Sequence, residues 1–270
     1  MNPFSRGSIE RLSADKEEPT WLTALRLASW EAYERLTADR PAVVLEDIQA
    51  YAEPPRASVP SHDWPEDLKY VVEERGDEEG LIMQRDSTIL SRSITKDQTK
   101  KGVIFTDLNM ALRLYPELVQ KHLARQVKWD DAFAALNSAF WSGGTFLYVP
   151  EHVEVKLPFH TCYWMTTPHS AVFPRTLVVA EHGSTVTLVD DFLSVDWNQE
   201  TLAVSAVELT VGAKARVNYT QIHHWGRGVR HENRQMTSVA SSGRLECAQT
   251  SAARAKITLE KAAELFPEVR

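Results

Sequence analysis

The chain's 270 residues allow one or two domains. With 43% hydrophobic and 25% charged residues it has the balance of a folded globule, which excludes global disorder. The formal charge of −7 is uneven: residues 1–80 hold 18 acids and 9 bases, and residues 81–270 hold 19 and 21. Neither part carries the basic footprint that nucleic acid requires.

Glycine is sparse, at 11 residues, and neither GxGxxG nor GxxxxGK(S/T) occurs, so a nucleotide phosphate has no loop to rest on. No apolar run approaches the ~18 residues of a membrane span, so no membrane partner is expected. The opening MNPFSRGSIERLSADKEEP lacks the apolar stretch of a secretory leader. Cys162 and Cys247 are too few for a disulfide framework, which makes a reducing cytoplasm the expected location.

Residues 1–18 are polar and read as loose. From Pro19, the residues Trp21, Leu22, Leu25, Ala28, Ala32, Tyr33 and Leu36 recur at helical spacing and predict an amphipathic helix. Pro41, Pro54, Pro55, Pro60 and Pro65 then argue for an extended connector. Leu81–Ile94 reads as short strands and Val103–Phe105 as another. Asp107 can cap a helix, Pro116 restarts a second and Asp130 begins a third through Phe140.

From Gly143 the period changes to alternation. TFLYV, VEVKL, TLVVA, TVTLV, AVELTV, ARVNYTQI and RLECA are short β runs with glycines or prolines between many of them. VVAEHGSTVTLVD is similar to ELTVGAKARVNYT when Gly183 is laid on Gly212, an offset of 29 residues. VPEHVEVKL has the same strand-turn-strand shape, with His152 in the turn. Such recurrence suits a solenoid. A β-sandwich would show the same strand spacing, and periodicity alone leaves both open.

KKGVIFTDLNMALRLYPELVQKHL and FAALNSAFWSGGTFLYVPEHVEVKLPF carry a resemblance that continues through FPRTLVVAEHGSTVTLVD and ARVNYTQIHHW and is anticipated by EEPTWLTALRLASW. These stretches resemble the SufB/SufD family of iron–sulfur cluster assembly proteins, and SufB more than SufD, over roughly residues 15–250. The resemblance implies a right-handed parallel β-helix flanked by helical segments. The regions expected are a helical region with its connector at 1–80, a β-helix core at 81–258 with inserted helices at 107–140, and a short tail at 259–270. It also implies partners, namely a SufC-like ATPase and another SufB/SufD-family subunit, and a scaffold role with no catalysis of its own.

Cluster assembly draws on thiolates and imidazoles as ligands for iron, and a persulfide relay on an accessible thiolate. Against the family pattern, several sulfur-handling positions are changed: a cysteine is Phe192, an arginine and an asparagine are Trp164 and Thr166, and another cysteine is Thr106. The family's Gln-Asn-Trp stretch reads His223, His224 and Trp225. The resemblance also puts the family's late cysteine and glutamate, and its last rungs, beyond Arg270. An open last rung would then be covered by another subunit.

His223, Trp225 and Cys247 are therefore the candidates for holding a transient cluster shared with a partner, and Cys162, Cys247 and His223 the candidate metal ligands. The plain alternatives stand beside them. Cys162 and Cys247 read equally as small buried hydrophobes, with Leu245 and Cys247 on one side of their run. His223, His224 and His231 read as surface or hydrogen-bonded histidines, the first two on opposite faces of a strand.

Asp190 and Asp191, with Asp196 near, raise the acid–base chemistry of a β-helix polysaccharide hydrolase or lyase. Their plain reading is a polar turn. Arg227, Arg230 and Arg234 read as a partner-facing basic patch or a solvated loop. Trp21, Trp30, Trp129 and Trp141 read as helix packing. A paralogue without any cluster role is the remaining alternative.

Overall fold

The computed structural model describes residues 3–42, 45, 48, 50–51, 80–125, 130–251 and 256–265. Pro54, Pro55, Pro60, Pro65 and Trp129 lie outside the described residues. The start of the chain is not loose. Helix α1 (Arg6–Asp15) begins at Ser5, whose hydroxyl accepts the Ser8 N–H at 3.2 Å. Phe4 and Ile9 bury completely, and Phe4 meets Phe140 and Phe173 edge-on. Two anchors are too few for a periodic signal, which is why the sequence alone read this segment as a loop.

The expected helix from Pro19 is α2 (Thr20–Thr37), with Pro19 at its cap. It packs on a later helix, where Trp30 meets Phe140 edge-on at 5.5 Å. A short strand β1 (Ala50–Tyr51) follows. Then come an antiparallel pair, β2 (Gly80–Arg85) and β3 (Thr88–Ser93), helix α3 (Lys96–Lys100) and β4 (Ile104–Asp107).

Asp107 caps α4 (Leu108–Leu114) by accepting the Met110 N–H at 3.0 Å, and α5 starts on its own proline (Pro116–His122). Helix α6 (Ala132–Phe140) is capped by Asp131, one residue past the expected start, which accepts the Ala134 N–H at 2.8 Å. These caps satisfy first-turn donors that the helices cannot.

The remaining strands are β5 (Thr145–Val149), β6 (Phe159–Met165), β7 (Ser170–Val172), β8 (Arg175–Ala180), β9 (Thr185–Ser194), β10 (Thr201–Val211), β11 (Arg216–His224), β12 (Val229–Val239), β13 (Arg244–Ser251) and β14 (Lys256–Leu265). From β8 on they alternate between two sheets. One runs β4-β5-β8-β10-β12-β14 and the other β3-β2-β6-β9-β11-β13. Each of these later strands lies parallel to its neighbour one coil away. Successive hairpins of a sandwich would be antiparallel, so the architecture is a parallel β-solenoid of about three turns.

The register corrects the internal repeat. Thr145 pairs with Thr176 and Thr176 with Val207, 31 residues apart each time; Val207 then pairs with Gln235 at 28, and Gln235 with Lys261 at 26. Gly183 thus aligns with Lys214 and not with Gly212. The expected offset of 29 errs by two residues at this place, and a shift of two preserves the inward and outward pattern.

His152, Gly183, Lys214 and Ser242 all hold the left-handed conformation, at φ 60°, 66°, 59° and 60°. They form a column of identical turns between the sheets. Only one of the four is glycine, so the column leaves little trace in the sequence.

Val178, Val186, Leu188, Leu209, Val211, Val217 and Tyr219 fill the space between the sheets. Leu177, Val179, Leu202 and Val204 face the other way, onto Phe140 and Trp141. Each such side chain contributes about 1.5–3 kcal/mol of burial.

The expected tail from residue 259 is instead the middle of β14, which pairs with β12 from Lys256 to Leu265. KITLEKAAEL has a helix-forming composition, and the backbone groups of β12 override it. Among the described residues no helix is long and apolar enough to cross a membrane.

Candidate functional site

The interior of the solenoid changes character along its axis. In TVTLVDDF the parity of the strand sends Val186, Leu188, Asp190 and Phe192 inward and Asp191 outward. Both aspartates are buried, at 0% and 2% exposure. They do not form the polar turn that their sequence suggested, and they diverge as adjacent strand residues must.

Asp190 Oδ2 accepts from Thr176 Oγ1 and from Tyr219 OH, each at 2.7 Å. Burial pushes this carboxyl up to about 6, and the Asp191 charge adds to the rise. The hydroxyls of Tyr219, Thr176 and Thr161 oppose it. Tyr163 and Tyr219 sit well above the usual phenol range, first because they are buried and then because Asp190 is beside them, so both keep their protons.

Toward the later rungs, hydrogen bonds form one directed chain. Trp225 Nε1 donates to His231 Nδ1 at 2.9 Å. That leaves Nε2 as the protonated nitrogen, facing Ser205 Oγ at 2.8 Å. Ser205 Oγ donates to Asn233 Oδ1 at 2.9 Å, Asn233 Nδ2 to Gln221 Oε1 at 2.6 Å, and Gln221 Nε2 to the Tyr219 hydroxyl at 3.0 Å. Tyr219 passes its proton donor on to Asp190. Every donor from the indole onward points toward the carboxylate, and such chains polarise cooperatively.

His223 shares this space. Its ring lies flat on Phe192, with centroids 5.1 Å apart and planes at 6°, and 5.2 Å from the His231 ring. It is fully buried, and neither ring nitrogen has a hydrogen-bond partner. Burial lowers it to about 4, with the His224 charge contributing, so the imidazole is neutral with an available lone pair. His231 is held well below the usual range by burial and then by His223 and Arg234. The plain reading of surface or hydrogen-bonded histidines therefore holds for His231, which is hydrogen-bonded, and for His224, which is exposed on the opposite face, and fails for His223, which is neither.

The structure separates the candidate ligands. Cys247 pairs in register with Tyr219, and His223 with Ser251. Four residues along a strand set Cys247 and His223 about 13 Å apart. Cys247 Sγ lies 3.0 Å from Gln235 Nε2, which donates to it. Cys162 is fully buried on the outer face of β6, between Met83 and Asp191 in register. Trp225 is buried and occupied as the donor that sets the His231 tautomer.

Among the described residues no group of three or more His, Cys, Asp or Glu is placed to hold a metal ion. The arginines are no loose patch either: Arg234 is buried against Asp131 at 2.6 Å and Arg230 pairs with Glu232, while only Arg227 stays out, on Asp196.

Sequence reasoning missed the interior chain of Thr176, Ser205, Tyr219, Gln221 and Asn233. Parity would have found it. Each lies an even number of residues from an inward valine or leucine on its own strand.

Comparison with known proteins follows the same span. The model of the SufBD core domain of the SUF iron–sulfur cluster assembly system matches residues 163–265, and that of the SufBD protein N-terminal region matches residues 80–160. Proteins named iron–sulfur cluster assembly SufBD family protein are similar to the chain. The one from Staphylococcus haemolyticus is 31% identical over 252 residues, covering 88% of this chain and 54% of the relative. The one from Staphylococcus aureus strain USA300 is 30% identical over the same length and shares. The chain thus spans about half the length of the curated relatives it matches.

Proposed function

The chain belongs to the SufBD family of iron–sulfur cluster assembly proteins, and from that membership we propose that it acts as a SufB/SufD-like scaffold subunit with a SufC-like ATPase and a second family subunit. The cluster is cargo, shared with the partner, and the chain is not itself a catalyst.

One observation carries this reading: His223 is a buried, neutral and unpartnered imidazole, and neither cysteine is placed beside it. Such a donor can complete a ligand set drawn largely from another subunit once assembly opens the interior to it, because nitrogen of this kind suits iron. The enzymatic alternative needs two convergent carboxylates. Asp190 and Asp191 face opposite sides of one strand and give it no support.

The test is co-expression of the chain with the ATPase and a full-length family member, followed by affinity capture and size exclusion. A stable complex is expected. Anaerobic reconstitution with iron and sulfide should then give visible cluster absorption in the complex, lowered by His223→Ala and little changed by Cys162→Ser. A chain that stays monomeric in the presence of both partners would overturn the proposal.

A further inference from the structure

Among the described residues, the buried or half-buried arginines are Arg26, Arg85, Arg175, Arg230 and Arg234. Arg26 meets Glu18, Arg175 meets Glu208, Arg230 meets Glu232 and Arg234 meets Asp131. Arg85, which ends β2, meets no carboxylate, and its Nε is closed to water with no hydrogen-bond partner. A guanidinium keeps its charge throughout the pH range of a folded protein, so its burial calls for an anion.

Two more orphaned donors lie in the same hairpin. Ser87 is 5% exposed, and neither its Oγ nor the Oγ1 of Thr88 has a partner. Only Asp86 and Ser87 separate β2 from β3, so Arg85 and Thr88 pair directly across the turn. Directly opposed residues share one face of the sheet, with Cβ atoms about 4.5–5.5 Å apart.

The turn is also anchored. The Asp86 N–H donates to the Trp164 carbonyl at 2.8 Å. The Asp86 carboxylate accepts from the Thr166 N–H at 2.8 Å, Thr166 Oγ1 at 2.7 Å and Thr167 Oγ1 at 3.0 Å, so its charge is engaged by the chain after β6. The two Nη nitrogens of Arg85 are not closed to water, which leaves the outer edge of the guanidinium open to a ligand.

We propose that the tip of this hairpin binds a tetrahedral oxyanion of the phosphate kind, with the Arg85 fork on two of its oxygens and the Ser87 and Thr88 hydroxyls on the others. A carboxylate has only two oxygens, and the fork alone would take both. Binding makes and breaks no covalent bond. The inference does not depend on the assembly role.

The experiment titrates the full chain, with its arginine side chains labelled with nitrogen-15, with inorganic phosphate at an ionic strength held constant by chloride. The Arg85 Nε–H signal should move and saturate, while that of Arg175, already paired with Glu208, stays in place. Phosphate should also raise the unfolding temperature. Read from that rise, Arg85→Lys should weaken phosphate binding about tenfold or more, and the double change Ser87→Ala with Thr88→Val several-fold. Losing two orphaned hydroxyls should leave the unfolding temperature without phosphate unchanged or higher, which separates binding from a structural role. An Arg85 signal that phosphate leaves in place, or that acetate moves at the same concentrations, would overturn the proposal. So would full phosphate affinity in the double variant.

Discussion

The Arg175 guanidinium and the Glu208 carboxylate face each other on neighbouring strands with 0% and 1% of their side chains exposed. Arg175 Nε donates to Glu208 Oε1 at 3.0 Å, and Nη1 donates to Asn137 Oδ1 at 2.9 Å and to Ser138 Oγ at 3.2 Å. Glu208 also accepts the Ala124 N–H at 3.1 Å. One ion pair therefore fastens α6, and the chain after α5, to the outer face of the solenoid.

Breaking this pair on one side leaves an unpaired buried charge. Glu208→Gln or Arg175→Met should each destabilise the fold by about 3–5 kcal/mol in urea denaturation, and the double change Arg175→Met with Glu208→Leu should recover much of that loss. A double variant as unstable as the sum of the singles would show that the pair is not acting as a unit.

Gly144 is a second point of dependence, through its backbone. Its φ is +108°, and a Cβ there would sit 2.0 Å from the Arg175 carbonyl oxygen, with β5 and β8 already in register. Its N–H donates to Gln84 Oε1, which fixes it further. Gly144→Ala should reduce soluble yield or lower stability by at least about 2 kcal/mol, measured by thermal unfolding.

Two of the perturbed groups of the interior, Asp190 and His223, predict opposite responses to acid. The folded Asp190 carboxyl titrates at about 6, above its unfolded value of about 3.9. Its contribution is complete below the unfolded value and is lost as pH rises through the folded one. Over that window the loss amounts to about 3 kcal/mol.

His223 titrates at about 4 when folded, below its unfolded value of about 6.5. Its contribution is present above the unfolded value and is lost as pH falls toward the folded one. Between pH 6 and 4 the Asp190 effect opposes that of His223, and His231, also held low, acts in the same direction as His223.

Relative to the parent chain, Asp190→Asn should therefore lose more stability on acidification through that window, and His223→Gln should lose less. Urea titrations at a series of pH values would check this. Parallel pH profiles for the two variants would contradict it.

The directed hydrogen-bond chain makes a prediction of its own. Trp225→Phe removes the donor that fixes His231 with its proton on Nε2. The change should cost about 1–2 kcal/mol and alter the His231 ring signals in a nitrogen–proton correlation spectrum. An unchanged tautomer would show that Ser205 alone sets it.

Much of the helical region was legible, because its signals are local. Asp107 and Pro116 mark helix starts by chemistry that does not depend on the rest of the chain. The solenoid was legible as a set of strands but not as a register, since Gly183 laid on Gly212 satisfies the same alternation as the observed pairing. The interior site was the least legible. Asp190 and His223 are residue types that usually face water, and only the parity of their strands against Leu188 and Tyr219 places them inside. Helix α1 and strand β14 were misread because packing on α2 and pairing with β12 outweighed their own composition.

The column of left-handed turns has an architectural corollary. From Gly183 on, each turn from one sheet to the other at that column holds four residues, at 181–184, 212–215 and 240–243. The opposite corner carries 195–200 on one coil and 225–228 on the next. One seam is thus fixed like a spine while the other expands and contracts from coil to coil. A peptide tag or an inserted domain grafted at 195–200 should leave the stack intact, whereas a single residue added at 212–215 would throw every later coil out of step.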